Sequence, residues 1–219
     1  MDIAAPTSLG PGRLVVAPAA SPRAVLWIGH GARGGIDAVD LAALARALPT
    51  RGITVVRYEQ PWRVAGKRVA SRPAALDVAW RETAPLVDEL AAGLPLIVGG
   101  RSAGARVACR TAGEVGAAGV VCLAFPLHPP GRPETSRLAE LLQPEVPALV
   151  LQGDRDTFGT AQTLAEETAG HDGIRVVAVP GADHGMKTLK SSPLGAAGVA
   201  ELVVVSVADF IDDVLDRTV

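Results

Sequence analysis

The sequence predicts an α/β protein: a three-layer α/β/α sandwich around a mostly parallel sheet of about seven strands. Three observations carry that prediction. Short runs rich in Val, Ile and Leu alternate along the chain with segments whose apolar residues recur every three or four positions. Parallel strands buried on both faces read as such continuous apolar runs, and helices with one apolar stripe cover them. Glycine-rich turns follow several of the strand-like runs, where ligands bind in open α/β sheets. At 219 residues the chain is long enough for one domain of this kind and short for two. Residues 1–11 read as a loose lead-in and residues 12–219 as the single domain.

The elements follow in order. Arg13 to Ala17 reads as a first strand, Pro18 to Pro22 as a turn and Val25 to Ile28 as a second strand. Ile36, Val39, Leu41, Leu44 and Leu48 fit a helix stopped by Pro49 and Gly52, and Ile53 to Arg57 is again a strand. A longer helix starts near Pro73, carries Leu76, Trp80, Thr83, Val87 and Leu90 on one face, is expected to bend at Pro85, and ends at Gly93. Leu96 to Val98 is a strand and Ala105 to Ala112 a helix. Val120 to Phe125, Ala148 to Leu151 and Ile174 to Val179 complete the strands, with helical segments near Ser136 to Leu142 and Ala161 to Thr168 between them. Ala196 to Asp216 has a Val-rich centre of strand propensity, but its length favours a helix.

Composition excludes several function classes. Lys and Arg number 21 against 23 Asp and Glu, a net charge of −2, so no global field draws the protein to nucleic acid or an anionic membrane. The N-terminal MDIAAPTSLGPG lacks a basic region followed by an apolar core, and no apolar run approaches the ~18 residues of a membrane span. A cytoplasmic location is expected. Cys109 and Cys122 show no C-x-x-C spacing and no clustered His, and read as buried small hydrophobes rather than a disulfide or zinc site.

Chemistry is concentrated in four turns. The stretch GGRSAG places Gly100-x-Ser102-x-Gly104 between a short buried strand and a helix, the pattern of a serine held on a sharp turn with glycines where a Cβ would clash. A hydroxyl at its ordinary pKa is a poor nucleophile and needs a base, which in turn needs an orienting acid. VLQGDRDTFG and VPGADHGM, each directly after a strand, supply Asp and His in the order Ser, Asp, His. The fourth turn, in LWIGHGARGG, fits both G-x-G-x-x-G, which cradles a dinucleotide, and His-Gly-x, which aims a backbone N–H at an oxyanion. Glu59 at the end of the next strand stands where a ribose-binding acid belongs, in favour of the dinucleotide reading. That reading leaves the three other motifs unexplained.

With these motifs the sequence resembles the α/β-hydrolases, in particular the small, lidless dienelactone-hydrolase-like bacterial members, from about Arg13 to the C-terminus. The resemblance implies an α/β-hydrolase fold with Ser102 as nucleophile, Asp156 as acid in the turn Gly153-Asp154-Arg155-Asp156, and His184 as base. Dienelactone hydrolases proper carry a cysteine nucleophile, and this chain departs from them at Ser102. Among the other acids and histidines, Asp154 and Asp183 read as turn formers and His171 as a surface residue. Backbone N–H groups of Ala103 and Ala32 are the candidate oxyanion donors.

Only Pro126 to Val146 separates two strands where larger relatives insert a lid, so an open pocket is expected. Trp62, Phe125 and Phe158 follow strand ends and, with His128 and Arg101, are candidate pocket residues. Arg63, Lys67, Arg68 and Arg155 join Arg101 as a possible basic rim for an acidic substrate. The expected activity is cleavage of a small ester, thioester or related acyl compound through an acyl-enzyme, with no cofactor or metal and no nucleic-acid or membrane partner. The alternative is a non-catalytic interaction module, because similar α/β-hydrolase-like domains occur in subunits of eukaryotic chromatin-modifying complexes.

Overall fold

A computed structural model describes residues 1–192 and 194–217. Eight strands form one sheet in the order β1-β2-β4-β3-β5-β6-β7-β8. They are β1 Asp2–Ala5, β2 Gly12–Ala17, β3 Ala24–Gly29, β4 Ile53–Glu59, β5 Leu96–Arg101, β6 Gly119–Leu123, β7 Ala148–Gly153 and β8 Ile174–Val179. β1, β2 and β4 pair antiparallel, and β4 through β8 pair parallel. The eight strands agree with the about seven expected, and the additional one is β1. Residues 2–5 are no loose lead-in: they pair with β2 from Asp2 opposite Val15 to Ala5 opposite Gly12. Backbone bonds hold this edge, and Ala5 is the one buried side chain in it, so the segment lacks the apolar signature by which strands are recognised.

The period of two along each central strand divides the core. In β3, Val25 and Trp27 point to one face and Leu26 and Ile28 to the other. The first face is covered by α3 Pro73–Ala91 and α4 Ala103–Thr111, with the short helices α2 Pro61–Val64 and α5 Leu138–Leu141 and with α6 Ala161–Glu167. There the Trp27 and Trp80 rings stack with centroids 3.7 Å apart, and Tyr58 meets both edge-on. The second face is covered by α1 Val39–Ala47 and α7 Gly195–Asp216. α7 settles the Val-rich segment as a helix. Val199, Val203, Val207, Ile211 and Val214 are buried at spacings of three and four, while Val205, which a strand would bury with Val203 and Val207, is exposed. None of the helices among the described residues is long and apolar enough to cross a membrane.

The order β4-β3-β5 positions the site. α1 follows β3 onto one face and α4 follows β5 onto the other, so the chain leaves these neighbouring strands in opposite directions. A crevice opens at their carboxyl ends, between Gly29 and Arg101. Cys109 and Cys122 lie buried nearby as free thiols, their sulfurs 3.5 Å apart across α4 and β6.

Candidate active site

β5 runs straight into the turn at Ser102, which adopts φ 52° and ψ −109°, a conformation few non-glycine residues take. The surroundings impose it. A Cβ on Gly100 would lie 2.6 Å from the Gly29 carbonyl oxygen and 2.8 Å from the Gly104 backbone, and one on Gly104 would meet Gly29 as closely. Backbone therefore touches backbone where β3, β5 and α4 meet, and the turn leaves the serine side chain outside the contact. The Ser102 N–H donates to the Leu123 carbonyl, tying the turn to β6.

Two loops bring polar side chains to Ser102. Its Oγ lies 2.9 Å from Nε2 of His184, and Nδ1 of His184 lies 2.8 Å from Oδ2 of Asp156. A carboxylate only accepts, so Nδ1 carries the ring proton and donates to Asp156; Nε2 keeps its lone pair and accepts the serine hydroxyl. Asp156 is buried and further held by the Phe158 N–H on Oδ1 and the Gln152 amide on Oδ2. Gln152 Nε2 also faces the carbonyls of Phe125 and Gly159, which locks the turn after β7. Asp154 accepts from the Gly181 N–H, and Asp183 accepts from the Gly185 and Lys187 N–H groups; both shape their loops and neither touches the imidazole.

His184 is held at two further points, its ring and its backbone carbonyl. The Phe158 ring lies 4.1 Å from that of His184 and tilts 30° to it. Arg101 donates to the His184 carbonyl and, through Nε at 3.0 Å, to Oδ2 of the fully buried Asp40. The guanidinium thereby joins α1, the elbow and the His184 loop.

The Gly29–Gly34 turn forms the opposite wall. Gly31 lies against Ser102, and the N–H groups of Ala32 and Ala103 have no hydrogen-bond partner among the described residues. His30 is buried and fixed as the neutral Nδ1–H form: Nδ1 donates to the Gly31 carbonyl, and Nε2 accepts the Gln60 N–H at 3.1 Å. Burial pushes its pKa below the ordinary 6.5. No helix begins at this turn. α1 starts only at Val39, and Glu59 is paired with Arg13, so the structure lacks the helix N-terminus and the free acid that a dinucleotide site requires.

A cleft of about 690 Å³ opens in front of Ser102, Ala32, Ala103 and His184. Of the expected pocket residues, Phe158 and Arg101 line it. Trp62 instead lines a separate cavity of about 10 Å³ behind the Gly29–Ala32 turn, Phe125 lies wholly in the core, and His128, whose Nδ1 faces the Pro129 carbonyl, does not line the cleft. Strand-end position identified these three, but the pleat and the loop path turn their side chains elsewhere. Arg63, Lys67, Arg68 and Arg155 do not line the cleft either. Its cationic residues besides Arg101 are Arg33, Arg106 and Arg137, which local spacing does not single out. Sequence reasoning also misses three supports: Asp40 and His30, whose partners Arg101 and Gln60 lie 61 and 30 residues away, and Gln152, whose spacing of four residues from Asp156 is the one local signal that could have found it.

A family model for the alpha/beta hydrolase domain matches residues 22–212. No curated protein matches the chain. Among solved structures, an alpha-beta serine hydrolase homologue from Coxiella burnetii superimposes with a TM-score of 0.76 at 18% identity, covering 94% of this chain and 96% of that one. A serine hydrolase without a lid from Xanthomonas campestris does so with a TM-score of 0.72 at 22% identity, covering 96% and 94%. Est1E from Butyrivibrio proteoclasticus, also known with ferulic acid bound, gives 0.76 at 13% identity over 98% and 99%.

Proposed function

The chain belongs to the alpha/beta-hydrolase domain family, and from that premise we propose that it cleaves small esters, thioesters or related acyl compounds, with Ser102 as nucleophile, His184 as general base and Asp156 as the acid that orients it. The observation that carries this reading is the unbroken hydrogen-bond chain from Ser102 Oγ through both imidazole nitrogens to Asp156. Ser102 Oγ attacks the acyl carbonyl as its proton passes to Nε2, and Asp156 stabilises the imidazolium. The carbonyl oxygen, now negative, meets the free N–H groups of Ala32 and Ala103, each such donor being worth on the order of 10²–10³ in rate. Nε2 returns the proton to the leaving group. Water then repeats the sequence on the acyl-enzyme and restores Ser102.

The short segment between β6 and β7 supports a small substrate. Between β6 and β7 the only regular element is the single turn of α5, too little to cover the cleft. Short acyl groups should be preferred, without a rate jump at a lipid interface.

A fluorophosphonate probe tests the chemistry directly. It should label the native protein stoichiometrically at Ser102, labelling should vanish in Ser102→Ala, and His184→Ala should slow turnover by about 10⁴–10⁶. A folded protein that neither takes the label nor hydrolyses activated esters would instead be an interaction module.

A further inference from the structure

We propose that the acyl substrate carries a carboxylate, bound by Arg137 with help from Arg33; this deepens the hydrolase reading and rests on it. Four arginines line the cleft in front of Ser102, and no Asp or Glu does. In a chain of net charge −2, such a concentration runs against the average. Two of the four are already neutralised. Arg101 is paired with Asp40, and Arg106 grips both oxygens of Glu140 at 2.9 and 2.6 Å. Glu140 is shared with Arg110, whose other partner is Asp77. Three guanidinium groups, of Arg106, Arg110 and Arg137, thus stand beside two carboxylates.

Arg137 is the one left over. It is half-buried, its guanidinium donates to the Pro126 carbonyl at 2.8 Å, and it makes no ion pair among the described residues. Burial and the neighbouring Arg106 push its pKa down, in contrast to Arg110, whose carboxylate partners raise it. An arginine stays charged even so. A half-buried cation with most of its donors unused is costly to hold, and an incoming carboxylate removes that cost while matching the planar guanidinium fork. One unneutralised half-buried charge suits a monoanion better than a dianionic phosphate. Arg33, exposed and next to Ala32, has no hydrogen bond or ion pair among the described residues and adds a second positive charge at the mouth of the cleft.

The test compares charged and neutral partners of equal shape. The anion can sit on the acyl side, as in mono-p-nitrophenyl glutarate against its methyl diester, or on the leaving group, as in p-acetoxybenzoate against its methyl ester. In at least one pair the carboxylate should raise kcat/KM about tenfold or more at low ionic strength, and added NaCl should shrink the advantage. Arg137→Gln should lower kcat/KM for the charged ester at least about tenfold more than for the neutral one, chiefly through KM. Arg137→Lys should retain part of the preference. Arg33→Gln, at an exposed side chain with no hydrogen bond or ion pair among the described residues, should weaken it without risk to folding. Equal or faster turnover of the neutral ester in both pairs would overturn the inference while leaving the hydrolase intact. Should no ester be cleaved and no fluorophosphonate bind, the hydrolase reading would fall, and calorimetry with monomethyl glutarate, a monoanion at neutral pH, would decide the anion site alone: binding to the wild type that is lost in Arg137→Gln supports it. No binding, or competition only by inorganic phosphate, refutes it.

Discussion

Ser102 and His184 meet at 2.9 Å, yet the turns that carry them are held in different ways. The elbow is set by steric contact between backbones. Gly100 and Gly104 let β5 and α4 close on Gly29, and Ser102 takes a positive φ in the tight turn between them. The Asp156 and His184 loops are set by side-chain hydrogen bonds: Gln152 and the Phe158 N–H on Asp156, Arg101 on the His184 carbonyl, Asp183 on its own loop. The two loops also touch, since a Cβ on Gly153 would lie 2.3 Å from the Ala182 carbonyl. Steric turns fail by strain and polar turns fail by losing orientation, so substitutions in the two regions should have separable consequences.

Asp156→Asn offers the largest expected effect. The amide fits the same space but donates as well as accepts, so it no longer selects the Nδ1–H form of His184, and kcat should fall by about 10⁴ while the unfolding midpoint changes little. A comparable loss of stability would mean that the polar arm is as structural as the elbow. Gly100→Ala should show the reverse profile. Its Cβ meets two backbones that cannot swing aside, so the protein should lose about 1–3 kcal/mol in denaturant unfolding, or more if the elbow stays rigid. An unchanged midpoint would show that the contact between β3 and β5 is looser than the geometry implies.

The smallest effect concerns the wall opposite the imidazole. His30 has a lowered pKa in the folded state, so below about 6.5 the unfolded chain binds a proton that the folded one refuses. Stability should be fully present above pH 6.5 and decline as pH falls from there towards the folded pKa, by at most about 1.4 kcal/mol per pH unit for one group. Urea unfolding at several pH values should show this slope in the wild type and a shallower one in His30→Gln.

Much of this was legible in the sequence because it depends on neighbours in the chain. Gly100-x-Ser102-x-Gly104 reports its own turn, since the glycines that relieve the contact lie two residues on either side of the serine. The strands around it announce themselves by continuous apolar runs. The first strand escaped notice because edge pairing uses backbone groups, which every sequence has, and buries little besides Ala5. Trp62, Phe125 and His128 were misplaced in the cleft for a related reason: following a strand end says where a residue enters the loop, not which way its side chain turns.

The sequence by itself determined the layered α/β architecture and the identity and order of Ser102, Asp156 and His184 as candidates, because periodicity, turn chemistry and spacing are local properties. Only the tertiary structure decided which charges are spent and which remain. Asp40 reaches Arg101 across 61 residues, Arg106 and Arg110 divide Glu140, and Arg137 is left half-buried beside a carbonyl. Ion pairing depends on distance and burial in space, and no count of Arg and Glu along the chain reveals which cations are left without an ion pair among the described residues.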